Sequence, residues 1–289
     1  MARKAGKNTP IPLIVGAGGI NPAGRVSGHH AYRRLVIDSL SREKQERTYR
    51  SLAKLMNRGE TESINESDRQ YILNHTLIRK IEAFDTSKVL WQTPLSFLAS
   101  DSEQNEFNLT TKNIPDSLKS RLNIPNSESD ILRVKTQEQI DVLLPEYRES
   151  KVTSAGQLPS GFHPGSLYAS RSHPRALQMT IYAASDAIRS TGFSVDQLRN
   201  MVPPEQIAVY SGSAMGQLDE ESYGGLLQNA LIGKRPSSKH CALGLPEMAG
   251  DFVNAYVLGS VGETAGIIGA CATFPVSYTH LTLPTKRIV

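Results

Sequence analysis

Among the 289 residues, the side chain in the strongest chemical setting is Cys271, within Gly269-Ala-Cys-Ala-Thr273 and directly after the apolar run Ala265-Gly-Ile-Ile268. Small residues on both sides of a cysteine at a strand end permit a sharp strand-to-helix turn. They also let a substrate carbonyl approach the sulfur. A helix opening at Cys271 would aim its positive end at that sulfur and favour thiolate over thiol. The Cys271 N–H would face the oxygen that becomes anionic when a thioester is attacked. Thiolate suits thioester exchange because the acyl group stays activated. A cysteine at a strand end is nonetheless more often a small buried hydrophobe than a nucleophile. On the flanks alone the inert, buried reading is favoured, and only context reverses it.

The other chemically competent side chains form weaker patterns. The histidines are His29, His30, His75, His163, His173, His240 and His280. His29 and His30 fall in a loop after the first turn, where a solvent-facing or loop-ordering role is expected. His240 adjoins Cys241, but two ligands without further partners at useful spacing make no metal site. Cys241 reads as a loop thiol. Asp186, on a helix of small residues, is either a satisfied core carboxylate or a group facing a site. Gly16-Ala-Gly-Gly19 lacks the third glycine of a dinucleotide fingerprint, and Gly233-Lys-Arg235 lacks the rest of a phosphate loop. No cofactor and no metal are expected.

The elements that must position these groups follow from composition and periodicity. The chain is 39% apolar and 21% charged, as a folded globular protein is. Two cysteines exclude a disulfide framework and suit a reducing, cytoplasmic setting. No run reaches the ~20 apolar residues that cross a bilayer, so no membrane partner is expected. The net charge of +4 is spread out and aromatics are 6%, which argues against nucleic acid. Ile11–Val15 reads as a first strand. Residues from Tyr32 to about Ser154 are polar and punctuated by Pro115, Pro125 and Pro145, with helical pieces at Arg33–Leu40, Glu46–Met56 and Ser67–Ala83. They are expected to form a mainly helical insertion, about residues 38–170, with Trp91 as a local packing anchor. Pro174–Ser190 and Pro246–Leu258 read as buried helices, and Ile207–Tyr210 and Ala265–Ile268 as buried strands. The class is α/β, a mixed sheet covered by helices. The final segment, 275–289, reads as the translation of a sequencing adaptor over Val276–Thr285, leaving residues 1–274 as the genuine chain.

Four segments in this order resemble the β-ketoacyl synthases. Gly269-Ala-Cys-Ala-Thr273 is similar to that family's nucleophile motif, and Gly16–Gly24 to its first strand and turn. Ala183-Ala-Ser-Asp-Ala-Ile188, Gly192 and Ile207-Ala-Val-Tyr-Ser-Gly-Ser213 are similar to its helix, linker and glycine/serine-rich strand end. The resemblance covers residues 11–37 and 171–274. The long intervening region, with Gly28–Arg34 and Gly216–Gly225, looks most like a long-form synthase of gammaproteobacteria that starts fatty-acid synthesis from acetyl-CoA and malonyl-acyl carrier protein.

The resemblance implies a thiolase-like fold, here its N-terminal half, with Cys271 as acyl acceptor. It implies acyl carrier protein, acyl-CoA or acyl-carrier protein and malonyl-carrier protein as partners. It also implies a homodimer formed across Gly262–Gly269, and carrier docking at Lys234, Arg235 and Lys239. The family's two catalytic histidines and lysine lie C-terminal to the nucleophile, so this chain is not expected to complete a condensation, and its cut face is expected to expose apolar surface. A thiolase, a polyketide-type condensing enzyme and a non-catalytic fragment remain open alternatives.

Overall fold

The structure, a computed structural model, describes residues 13–59, 64–98, 105–111, 114, 116–119, 122, 130–136, 138–259 and 261–282. The chain divides into two units, Met1–Arg79 with Gly156–Val289, and Lys80–Ala155. Of the expected first strand, Ile11 and Pro12 lie outside the described residues. Leu13, Ile14 and Val15 are irregular and 75–80% exposed. A strand needs a ladder partner, and none reaches these three among the described residues.

The first unit opens with a tight antiparallel hairpin, β1 (Ile20–Asn21) and β2 (Gly24–Arg25). Three helices follow: α1 (His30–Leu35), α2 (Arg42–Leu55) and α3 (Glu66–Asn74). On α2 the apolar positions Tyr49, Leu52 and Ala53 lie on one face, continued by Met56. They pack with Ile37, Ile64 and Ile72 into a small core. The Asn65 side chain caps α3 by accepting from Asp68 N at 2.8 Å. Buried Arg34 ties α1 to the end of α3, its Nε donating to Thr76 Oγ1 at 2.8 Å. The helix expected to reach Ala83 ends at Asn74, because Leu77 takes a left-handed backbone (φ 63°). The chain then leaves through β3 (Ile78–Lys80).

The second unit corrects the mainly helical insertion. Its regular structure is two nested antiparallel ribbons and one short helix. The strands are β4 (Val89–Phe97), β5 (Asn105–Thr110), β6 (Ile131–Thr136) and β7 (Ile140–Arg148), with α4 (Asp116–Lys119) after β5. β4 pairs with β7, and β5 with β6. On β6 every second residue, Leu132, Val134 and Thr136, turns inward. Leu132 and Val134 form this unit's core with Leu122, Phe107 and Leu109. Helices therefore fill only the first part of the predicted insertion. Trp91 packs locally, as expected, but at the surface. It is half exposed on β4, with the Arg148 guanidinium 4.8 Å from its ring centroid.

After β8 (Ser154–Gly156) the chain returns to the first unit. The long helix α5 (Arg175–Ser190) matches its predicted span, with Pro174 immediately before it. The shorter α6 (Val195–Met201) starts from a capping box between Ser194 and Gln197. β9 (Ala208–Gly212), α7 (Tyr223–Gln228), α8 (Ser238–Gly244) and α9 (Met248–Val253) follow; a π-helical stretch, Asn254–Leu258, continues α9. The last strand and helix are β10 (Glu263–Ile267) and α10 (Thr273–Thr282). β10 lies parallel to β9, Glu263 opposite Ala208 and Ile267 opposite Gly212. Ile181 of α5 packs with Val253, Val257 and Leu258 under Ile207 and Val209, so helix covers this sheet as predicted.

Candidate active site

Small residues set how closely the layers around Cys271 approach. A Cβ on Gly250 of α9 would stand 3.1 Å from Ser211 Oγ on β9, and one on Gly266 of β10 would meet Glu247. The backbones pack where side chains would otherwise separate them. β10 delivers the chain to Ile268, and a 3₁₀ turn, Ala270–Ala272, then leads into α10. Cys271 sits at the middle of that turn, exposed, two residues before the helix that was expected to open at the cysteine itself. The positive end of α10 still lies within a turn of it, where helix-terminal charge acts.

Thr273 holds the turn. Its Oγ1 accepts from Gly269 N at 3.0 Å and donates to Ala270 O at 2.8 Å. Ala272 N donates to Gly269 O at 2.8 Å. Ala270 is left-handed (φ 46°), a conformation that costs an L-residue about 1 kcal/mol; the Thr273 clamp maintains it. Thr273 thus has a positioning role that its place in the motif did not reveal.

Gly212, at the end of β9, supports the same turn from below. A Cβ there would run into Thr273 Cγ2 and stand 3.0 Å from Ser277 Oγ and 3.2 Å from Ile267 O. Gly212→Ala is therefore expected to shift Thr273 and slow acylation of Cys271 about tenfold or more while the chain still melts cooperatively. Acylation at the parent rate would show that the turn does not depend on this contact.

The other candidates are not gathered here. His29 is exposed and left-handed (φ 60°). His30 carries a buried Nδ1 without a hydrogen-bond partner. Burial first, then Arg25, Arg33 and Arg47, hold its pKa below the usual value, so it is neutral at pH 7. His75 Nδ1 lies 2.8 Å from Tyr71 O. His173 bridges two tyrosines, Nδ1 3.0 Å from Tyr168 Oη and Nε2 3.3 Å from Tyr256 Oη. His240 is buried and its Nδ1 accepts from Ser237 N, closing the cap of α8. Cys241 lies on α8 rather than in a loop, and is exposed. Among the described residues no three His, Cys, Asp or Glu side chains cluster as metal ligands.

Asp186 resolves as the satisfied core carboxylate. Its Oδ2 accepts from Gly19 N at 3.1 Å and Ser27 N at 3.2 Å, and its Oδ1 from Ser27 Oγ at 2.6 Å. It anchors the β1–β2 hairpin to α5. The glycines of Gly16–Gly19 serve the same approach: a Cβ on Gly16 would lie 2.7 Å from Ala187 O, and one on Gly18 would overlap Ala187 N. Lys234 and Arg235 are exposed after α7, while Lys239 on α8 pairs with Glu221 at 2.8 Å.

A solved structure is similar over most of the chain. The crystal structure of the ketosynthase FabY from Pseudomonas aeruginosa superimposes with a TM-score of 0.85 and 40% identity, covering 97% of this chain and 46% of that one. The β-ketoacyl-[acyl-carrier-protein] synthase FabY of P. aeruginosa strain PAO1 is 42% identical over 281 aligned residues, 91% of this chain. The chain is homologous to this ketosynthase. It has the thiolase-like fold expected from the resemblance, and it spans under half of FabY, 44% of its sequence. No family model matches the chain. No helix among the described residues is long and apolar enough to cross a membrane.

Proposed function

We propose that Cys271 is the acyl-accepting nucleophile of a β-ketoacyl-acyl-carrier-protein synthase in fatty-acid biosynthesis, to which residues 1–274 contribute the N-terminal part. The observation that carries this reading is the exposed sulfur in a strand-to-helix turn clamped by Thr273. The Cys271 thiolate adds to the thioester carbonyl of acyl-CoA or acyl-carrier protein. As the donor's C–S bond breaks, its thiolate leaves and the acyl group stays on the sulfur. The backbone N–H of Cys271, in the turn clamped by Thr273, faces the passing oxyanion. In the second half-reaction malonyl-carrier protein loses carbon dioxide, and the carbanion attacks the acyl carbonyl and returns the Cys271 thiolate. That step belongs to the complete protein, with groups beyond residues 1–274; residues 275–289 are read as foreign sequence.

The setting proposed with it is a cytoplasmic homodimer. β10 has β9 on one side and no strand on its other edge among the described residues, which is where a second copy would add. An acidic carrier protein would meet the exposed Lys234 and Arg235, with Lys239 beside them. The test is to incubate the complete protein with acetyl-CoA and map the acetyl group by peptide mass spectrometry. One thioester-linked acetyl on Cys271 is expected. Acetyl found only on other residues would sink the reading.

A further inference from the structure

A cavity of about 620 Å³ opens beside α5, bordered by Arg25 of the hairpin, residues of α5, the segment after it and Tyr256. No residue of 262–277 borders it, so it is separate from the turn at Cys271. Its size is that of a small-molecule site. The apolar wall comes from Leu167, Ile181, Ile188, Phe193 and Val195.

The polar groups on that wall are mostly engaged within the protein. Tyr168 and Tyr256 hydroxyls meet His173. Ser185 Oγ donates to Ile181 O at 2.9 Å, and Ser194 Oγ accepts from Gln197 N at 3.1 Å. Asp186 is occupied by the hairpin donors. What remains is cationic. Arg25 stands 3.7 Å from Asp186, yet its buried Nε has no hydrogen-bond partner. Arg189, one turn beyond Ser185, has no carboxylate at ion-pair distance among the described residues. Both guanidiniums border the cavity together with the Tyr182 phenol. A buried guanidinium Nε without a partner, a second, exposed guanidinium on the same cavity and an apolar wall beside them call for a planar anion with an apolar body.

We propose that this cavity binds a small amphipathic carboxylate, its head drawn to Arg25 and Arg189 and its body lying along Leu167, Ile181, Ile188 and Phe193. The probe is octanoate, compared with 1-octanol, titrated against the 289-residue chain by calorimetry. Octanoate should bind at least tenfold tighter than the alcohol. Arg189→Gln removes one head contact at an exposed position, and Ser185→Trp fills the space. Each should weaken octanoate about tenfold or more with an unchanged melting temperature. Failure of octanoate to bind, equal affinity for the alcohol, or wild-type affinity in a folded Arg189→Gln chain would each overturn the site. None of these readouts depends on acylation of Cys271.

Discussion

In the complete protein, Cys271→Ala is expected to abolish acyl uptake from acetyl-CoA, and Cys241→Ala is expected to leave it at the parent rate. Both thiols are exposed, so access to solvent does not distinguish them. Position does. Cys241 lies inside α8, past the helix start, away from any strand-to-helix turn. Cys271 sits between Ala270 and Ala272 in the 3₁₀ turn clamped by Thr273, so only small side chains flank an approaching thioester. Cys271→Ser should retain the geometry yet lose roughly 100-fold or more in rate, since a hydroxyl is a far weaker nucleophile than a thiolate. The measurement is time-resolved peptide mass spectrometry of the three variants. Undiminished labelling in Cys271→Ala would assign the chemistry elsewhere.

The sequence reached this turn because its signal is local. An apolar strand, two small residues, a cysteine and a helix succeed one another within about ten positions, and α5, β9 and β10 fall within one or two residues of their predicted spans, although β10 is half-buried rather than buried. What the sequence hid is carried by contacts distant in the chain. The insertion reads as polar helix because its pairings join residues far apart, Val89 with Arg148 and Asn105 with Thr136, with no short glycine turn to announce them. The inward alternation of Leu132, Val134 and Thr136 was visible but too short to outweigh the surrounding polar sequence. Leu13–Val15 shows the converse failure: strand propensity is present and a ladder partner is not. The two readings of Asp186 could not be separated without its partners, which lie more than 150 residues away.

Those partners make Asp186 the site of the largest expected stability effect. Its side chain is 4% exposed and accepts from Gly19 N, Ser27 N and Ser27 Oγ, with Arg25 nearby. Asp186→Ala strands these donors and leaves Arg25 without its counter-charge, a loss of about 3 kcal/mol or more. Asp186→Asn keeps one accepting oxygen and turns an amide on the other donors, so it should fall between the parent and the alanine variant. Gly18→Ala breaks the same attachment sterically, because the added methyl would overlap Ala187 N of α5 and neither backbone can yield. Chemical denaturation should rank the alanine and Gly18 variants well below the parent. Hydrogen exchange should show early loss of protection at Val26 N, which donates to Gly19 O at 2.9 Å. Asp186 has no contact with the turn at Cys271, and Ile181 would still hold α5 on Val253 and Val257. The acylation rate per folded molecule should therefore stay at the parent value. A folded Asp186→Ala protein that no longer acylates Cys271 would mean that the hairpin and the nucleophile turn are coupled through α5 and the α9 helix it packs on.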